Sequence, residues 1–199
     1  MTKEECMARG IPAQMPRELQ LALYEKVIES PSGDVLEIGS ACGGSTIFLI
    51  GAAEEVGKHV WSVDPYPMGL VGIPHYNDST VRDWKEGFKT NILDAGYTNI
   101  TQIRQDITAC HQSLPEKLSV ILIDGMHDGD YAKNDYDLTI DRLVSGGWLF
   151  FDDAEWVDGP NGTAGQMGGP ALHDVSAVLN GSGFINVESI CGCRFAQKI

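Results

Sequence analysis

Positive charge is scarce in this chain: 14 lysines and arginines stand against 28 aspartates and glutamates, a formal net charge of −14. Phosphate backbones and anionic membrane surfaces are gripped by clustered Lys and Arg that displace counterions. No such cluster occurs, so neither nucleic acid nor a membrane surface is expected as a partner, and the acidic balance reads as solubility. Long apolar runs are missing too, none approaching the roughly 20 residues of a spanning helix. Met1 to Gly10 is polar and mixed in charge, without the apolar centre of a signal peptide. Cysteine is sparse and odd in number: Cys6, Cys42, Cys110, Cys191 and Cys193 make no disulfide framework. A reducing, cytoplasmic setting is the expectation. Cys191-Gly192-Cys193 has no second ligand pair at zinc-finger spacing and reads as turn thiols between two strand-like runs.

What the chain does have is length for one buried core and 23 glycines, the mark of many tight turns. Residues 1–199 read as a single domain, an N-terminal helical part over 1–32 and a core over 33–199. Leu19, Leu23 and Val27 follow Pro16 at helical spacing and stop before Pro31-Ser32-Gly33. Strands are expected at Val35–Ile38, Val60–Val63, Ile100–Arg104, Val120–Ile123 and Trp148–Phe151. Helices are expected at Ser45–Val56, Asp78–Ala95 and Thr108–Leu114. Another runs from Tyr131 through Ala132, Tyr136, Ile140, Leu143 and Val144, ended by Gly146-Gly147 as a left-handed cap. One more covers Ala171–Leu179, and Phe184–Ser189 with Arg194–Lys198 can pair as a hairpin. Five strands alternating with helices argue for an α/β fold, a parallel sheet covered on both faces.

The chemistry concentrates at strand ends. Val35-Leu36-Glu37-Ile38-Gly39 leads through Ser40-Ala41-Cys42-Gly43-Gly44 into Ser45-Thr46, a buried strand, a glycine turn and a helix start whose N–H groups can face a ligand. The spacing Glu-x-Gly-x-x-x-Gly lacks the pyrophosphate-holding Gly-x-Gly-x-x-Gly turn, which disfavours a nicotinamide cofactor. Asp64 ends the second strand, about 25 residues after Glu37, where a carboxylate can accept from both ribose hydroxyls of a nucleoside. Asp106 ends the third strand and can take an adenine amino group. Asp124 ends the fourth strand and Asp152-Asp153 the fifth. Neighbouring strands lie ~4.8 Å apart, so these carboxylates converge if the strands are adjacent. Unpaired, they would push each other's pKa upward; a hard divalent cation with oxygen ligands resolves the conflict. Both Asp152 and Asp153 can take part only if the strand breaks near Phe151. His127, three residues beyond Asp124, is placed to take a proton from an acceptor hydroxyl. His59, His75, His111 and His173 read as structural. Tyr66, His75, Tyr76 and Trp156 fall in loops near the same edge and are candidates for an acceptor pocket.

The segments 35–46 and 60–66 resemble the opening motifs of class I S-adenosylmethionine-dependent methyltransferases. Ile123-Asp124-Gly125-Met126-His127-Asp128 and Gly146-Gly147-Trp148-Leu149-Phe150-Phe151-Asp152-Asp153 resemble the small metal-dependent O-methyltransferases related to macrocin and catechol O-methyltransferases. The resemblance runs from about Pro16 to the final hairpin. It implies a Rossmann-like seven-stranded, mostly parallel sheet with a C-terminal antiparallel hairpin. It implies cofactor contacts at Glu37, Gly39, Ser40, Gly43, Ser45, Asp64 and Asp106, and Mg²⁺ or Mn²⁺ ligands at Asp124, Asp152 and Asp153. Catechol-type enzymes carry Lys three residues after the first metal acid, where this chain has His127. The implied reaction is methyl transfer to a hydroxyl of a small molecule such as a sugar or phenol, with His127 or Asp124 as the base. Two readings stand beside it: a metal-independent methyltransferase acting on nitrogen or another centre, and a non-catalytic module that binds the cofactor or a nucleoside. A homo-oligomer is compatible with the sequence, which fixes no oligomeric state.

Overall fold

The computed structural model describes residues 1–66, 78–126, 131–155, 179, 181 and 183–199. Two helices, α1 (Lys3–Ala8) and α2 (Arg17–Glu29), precede the sheet. There follow β1 (Asp34–Ile38), α3 (Thr46–Val56), β2 (Val60–Val63), α4 (Asp78–Phe88) with a π-helical extension at Lys89–Leu93, and β3 (Ile100–Ile103). The second half holds α5 (Ile107–Cys110), β4 (Leu118–Ile123), α6 (Tyr131–Thr139), β5 (Leu143–Phe151) and the hairpin of β6 (Phe184–Ile190) and β7 (Cys193–Lys198). The seven strands lie in the order β3-β2-β1-β4-β5-β7-β6, with β7 antiparallel to β5 and β6 antiparallel to β7. That is the α/β, Rossmann-like, mostly parallel sheet expected. Among the described residues no helix is long and apolar enough to cross a membrane.

Apolar strands buried on both faces dictate the layers. On one face Val35, Val60, Val120, Leu122 and Phe150 pack against α2 and α3, where Leu19, Leu23, Val27 and Ile47–Ile50 are buried. On the other, Leu36, Ile38, Ile121, Ile123 and Phe151 meet Ile107, Cys110 and Ala132 from α5 and α6. The strand order reverses between β1 and β4, the place where open α/β sheets bind ligands.

One expectation is overturned. The helix starting at Tyr131 ends at Thr139, turns once through a 3₁₀ segment at Ile140–Arg142, and the chain is extended from Leu143 onward. Gly146-Gly147 is therefore no helix cap but lies within β5, where the ladder slips: Leu118 pairs with Leu143, yet Val120 pairs with Trp148. The carbonyls a glycine cap would have satisfied are taken instead by Lys198, whose Nζ donates to Ile140 O at 3.0 Å and Leu143 O at 2.7 Å. The thiols divide as well. Cys191 stands exposed in the hairpin turn, with Gly192, at positive φ. Cys193 opens β7 with its side chain buried, so only the first is a turn thiol. The helix expected at Ala171–Leu179 lies, apart from Leu179, outside the described residues.

Candidate active site

Parallel pairing aligns the strand ends. The first residue past each strand donates its N–H to the neighbouring strand: Asp64 to Ile103 O, Gly39 to Val63 O, Asp124 to Ile38 O and Asp152 to Ile123 O, all at 2.8–3.1 Å. Asp64, Gly39, Asp124 and Asp152 thus form one row along the carboxyl edge of the sheet. Gly39 has φ +86, and a Cβ there would sit 2.0 Å from Asp124 O and 2.7 Å from Gly125 Cα. Only glycine lets the turn after β1 lie so close to the end of β4.

The glycine turn is fastened by its neighbours. Asp64 Oδ2 accepts from Ser40 N at 3.1 Å and Ala41 N at 3.0 Å, while Oδ1 accepts from Tyr66 N at 2.8 Å. Three of a carboxylate's roughly four acceptor directions are then in use, leaving about one to face a ligand. Burial raises the Asp64 pKa against the opposing pull of these amides. Tyr66 is a correction. It is 5% exposed, packs edge-on to Phe88, and its hydroxyl donates to Ala41 O at 2.8 Å and meets Ser40 Oγ at 3.1 Å. It supports the turn from beneath rather than lining an acceptor pocket.

Glu37 is fully buried, facing Ser62 of β2 in the ladder. Its two oxygens accept from Ser45 Oγ and Thr46 Oγ1, each at 2.6 Å, which ties strand β1 to the start of α3 across the turn. Burial pushes its pKa up to about 7, against the pull of those hydroxyls. Of the expected cofactor residues, Glu37 and Ser45 are occupied with each other, whereas Gly39, Ser40 and Gly43 form the turn itself. Asp106 lies three residues beyond β3, exposed, and caps α5: its Oδ1 accepts from Thr108 N at 2.9 Å and Thr108 Oγ1 at 2.6 Å.

Asp124 and Asp152 meet. Their carboxyls share a hydrogen bond, and Asp124 is held well above the usual carboxylate range, first by burial, then by Asp152, then by Glu37 and Asp153. Strand β5 ends at Phe151, and Asp153 turns into the left-handed region at φ +52. The strand break that both acids require is present. Among the described residues no three acids, histidines or cysteines close into a cage. Cys193 stands beside this pair on β7; its thiol pKa is raised by burial and by Asp152, Asp124 and Asp153. His127, His75, Tyr76 and Trp156 lie outside the described residues. His59 and His111 are structural, bonded to Thr101 Oγ1 at 2.8 Å and Thr108 O at 3.1 Å.

Sequence reading missed Thr46 as a partner of Glu37 and the inward-turned Asp135, and it gave Tyr66 a pocket role in place of its support of the turn. The hydroxyl pair Ser45-Thr46 opposite a buried strand glutamate was the signal for the first.

A parallel sheet with its order reversed beside a glycine turn, edged by acids, is the architecture of class I methyltransferases. The model of a family described as a methyltransferase domain matches residues 36–154, from β1 to just past the paired acids. The chain belongs to that family, the S-adenosylmethionine-dependent class its motifs resemble. Among solved structures, the O-methyltransferase NovP is 15% identical, covering 94% of this chain and 81% of that one, with a TM-score of 0.68. The O-methyltransferase TomG from Streptomyces achromogenes, in complex with SAM, is 13% identical over 92% of this chain and 81% of its own, TM-score 0.66. A putative caffeoyl-CoA O-methyltransferase from Staphylococcus aureus is 15% identical over 99% and 90%, TM-score 0.65. At such identities the likeness is one of fold.

Proposed function

We propose that this chain transfers the methyl group of S-adenosylmethionine to a hydroxyl of a small molecule, such as a sugar or phenol, with Mg²⁺ or Mn²⁺ held by Asp124, Asp152 and Asp153. The observation that carries the metal is the Asp124–Asp152 hydrogen bond, two carboxyls forced together at the ligand edge of the sheet. Such a pair is an oxygen-only donor set that a hard cation suits. A bound cation supplies Lewis acidity that lowers an acceptor hydroxyl's pKa. The chain's own part is placement. The turn from Gly39 to Gly43 cradles the cofactor, Asp64 receives its ribose and Asp106 its adenine amino group. His127 takes the hydroxyl proton on an imidazole nitrogen as the new carbon–oxygen bond forms and the carbon–sulfur bond breaks. In-line displacement rewards alignment above all. The O-methyltransferases among the structural neighbours support oxygen as the acceptor atom.

Calorimetry and turnover test this together. S-adenosylhomocysteine is expected to bind in EDTA, NAD to bind far more weakly, and methyl transfer to a panel of hydroxylated acceptors to stop in EDTA and return with Mg²⁺. Binding of NAD without S-adenosylhomocysteine would end the reading; full turnover in chelator would leave the metal-independent alternative, and cofactor binding without transfer to any acceptor the non-catalytic one. His127→Ala is expected to lower kcat about 10²-fold, the worth of a positioned base, with cofactor affinity little changed. An unchanged rate and pH profile would move the base role to Asp124 or solvent.

A further inference from the structure

Asp135 lies outside every residue that the sequence singled out. It shares the inner stripe of α6 with Ala132 and Thr139, is 6% exposed, and among the described residues no group donates a hydrogen bond to its carboxyl. An acid turned inward among apolar side chains calls for an explanation. Its surroundings supply one. A Cβ placed on Gly125 would lie 3.5 Å from Asp135 Oδ2, 3.6 Å from Ile38 Cγ2 and 3.9 Å from Ile38 O. The carboxyl therefore faces the backbone just past Asp124, and Gly125 in turn abuts Gly39. Asp135, Gly125 and Gly39 are stacked across the switch point between β1 and β4, on the side where Asp106 heads α5.

We propose that Asp135 reads the cofactor's nucleobase together with Asp106: its carboxylic acid donates to the adenine ring nitrogen beside the exocyclic amino group, and the Asp106 carboxylate accepts from that amino group. This rests on the S-adenosylmethionine reading above. That edge of adenine presents an acceptor next to a donor, and two acids match it only if one keeps its proton. Asp135 meets the condition. Burial, with Asp106 second, raises its pKa to about 7. The other charged groups on elements packed against α6 are Asp124 past β4 and Asp141 and Arg142 in the 3₁₀ turn. Lys133 and Asp137 pair with each other on α6 itself. Of all these, Asp106 alone acts on Asp135. Hypoxanthine reverses the pattern, with a carbonyl in place of the amine and an N–H in place of the ring acceptor, so the same pair should reject it.

The test compares S-adenosylhomocysteine with its deaminated analogue, S-inosylhomocysteine, by calorimetry at pH 6, 7 and 8.5. The wild type is expected to prefer the adenine form by about 30-fold or more, and to lose affinity for it as pH rises through neutrality. Asp135→Leu should weaken S-adenosylhomocysteine about 10-fold and shrink the preference to within about 3-fold. Asp135→Asn keeps a donor, so it should bind within about 3-fold of wild type and lose the pH dependence that Asp135 causes. A Leu variant that binds and discriminates like wild type would overturn the proposal. So would a pH profile shared by wild type and the Asn variant, which decides the matter even if the Leu variant fails to fold. Wild type that binds no S-adenosylhomocysteine at any pH would instead bring down the cofactor reading and this pair with it.

Discussion

Asp152→Asn is expected to make the protein harder to unfold and nearly inactive at the same time. Asp152 is 7% exposed and hydrogen-bonded to an Asp124 already held above the carboxylate range by burial and by Asp152 itself. An amide keeps a carbonyl oxygen to accept that bond and removes one negative charge from a crowded acid site. Making Asp124 tenfold easier to ionise is worth about 1.4 kcal/mol, so unfolding in EDTA at pH 8 should require on the order of 1 kcal/mol more. Activity moves the other way. Losing an outer partner of a metal ligand typically costs about 10–100-fold, and losing a direct ligand belongs at or above the top of that range. Urea titration in EDTA and methyl-transfer rates in saturating Mg²⁺ are the two measurements. A variant that is both less stable and fully active would remove Asp152 from the metal site and make its contact with Asp124 purely structural.

The strands β1 to β4 and the helices between them were legible because each buries one kind of periodic surface. Val35–Ile38 and Val120–Ile123 are continuous apolar runs, and Leu19, Leu23 and Val27 fall on one helical stripe with 0% exposure. The start of β5 was not legible. Leu143 and Val144 continue the helical spacing of Ala132, Tyr136 and Ile140, and Gly146-Gly147 imitates a helix stop. What decides the case is Lys198, 55 residues beyond Leu143 in the chain, whose ammonium takes the freed carbonyls. No local pattern contains that contact.

At the site, acids at strand ends could be read from sequence because strand ends can. Which acids hold ligand and which hold the protein together could not. Asp64 spends three acceptor directions on Ser40, Ala41 and Tyr66, and Glu37 both of its oxygens on Ser45 and Thr46. Asp135 was hidden by its polar neighbours Lys133, Asn134 and Asp137, which make α6 look solvated around it. The spacing Ala132, Asp135, Thr139 was the available sign that this acid turns inward.

Without metal, the protein is expected to lose stability as pH rises from about 5 to 8, the reverse of most acid-labile proteins. Glu37 and Asp135 both have folded pKa values of about 7, raised first by burial. Asp64 and Asp124 are raised too, again by burial first. In the unfolded chain these groups titrate at about 4. Between the two values the native state binds more protons than the unfolded state, so the unfolding free energy falls as pH climbs through that window. Below about pH 4 both states are protonated and the effect is absent; for Glu37 and Asp135 the loss runs on through pH 7 and is complete only well above it. Each tenfold difference in proton affinity between the folded and unfolded chain is worth about 1.4 kcal/mol, so two such acids alone put the drop at roughly 3 kcal/mol or more. Lys58 does not offset it: burial lowers its pKa to about 8, so its stabilising change with rising pH begins only above that value. Urea midpoints at pH 5.5 and pH 8 in EDTA measure the drop directly. Adding Mg²⁺ should raise the midpoint more at pH 8 than at pH 5.5, where the cation must displace the proton that burial and the neighbouring Asp152 favour on Asp124. A midpoint that is flat or rises with pH in EDTA would mean that the buried acids stay solvated, and their burial would no longer account for the tension at this edge of the sheet.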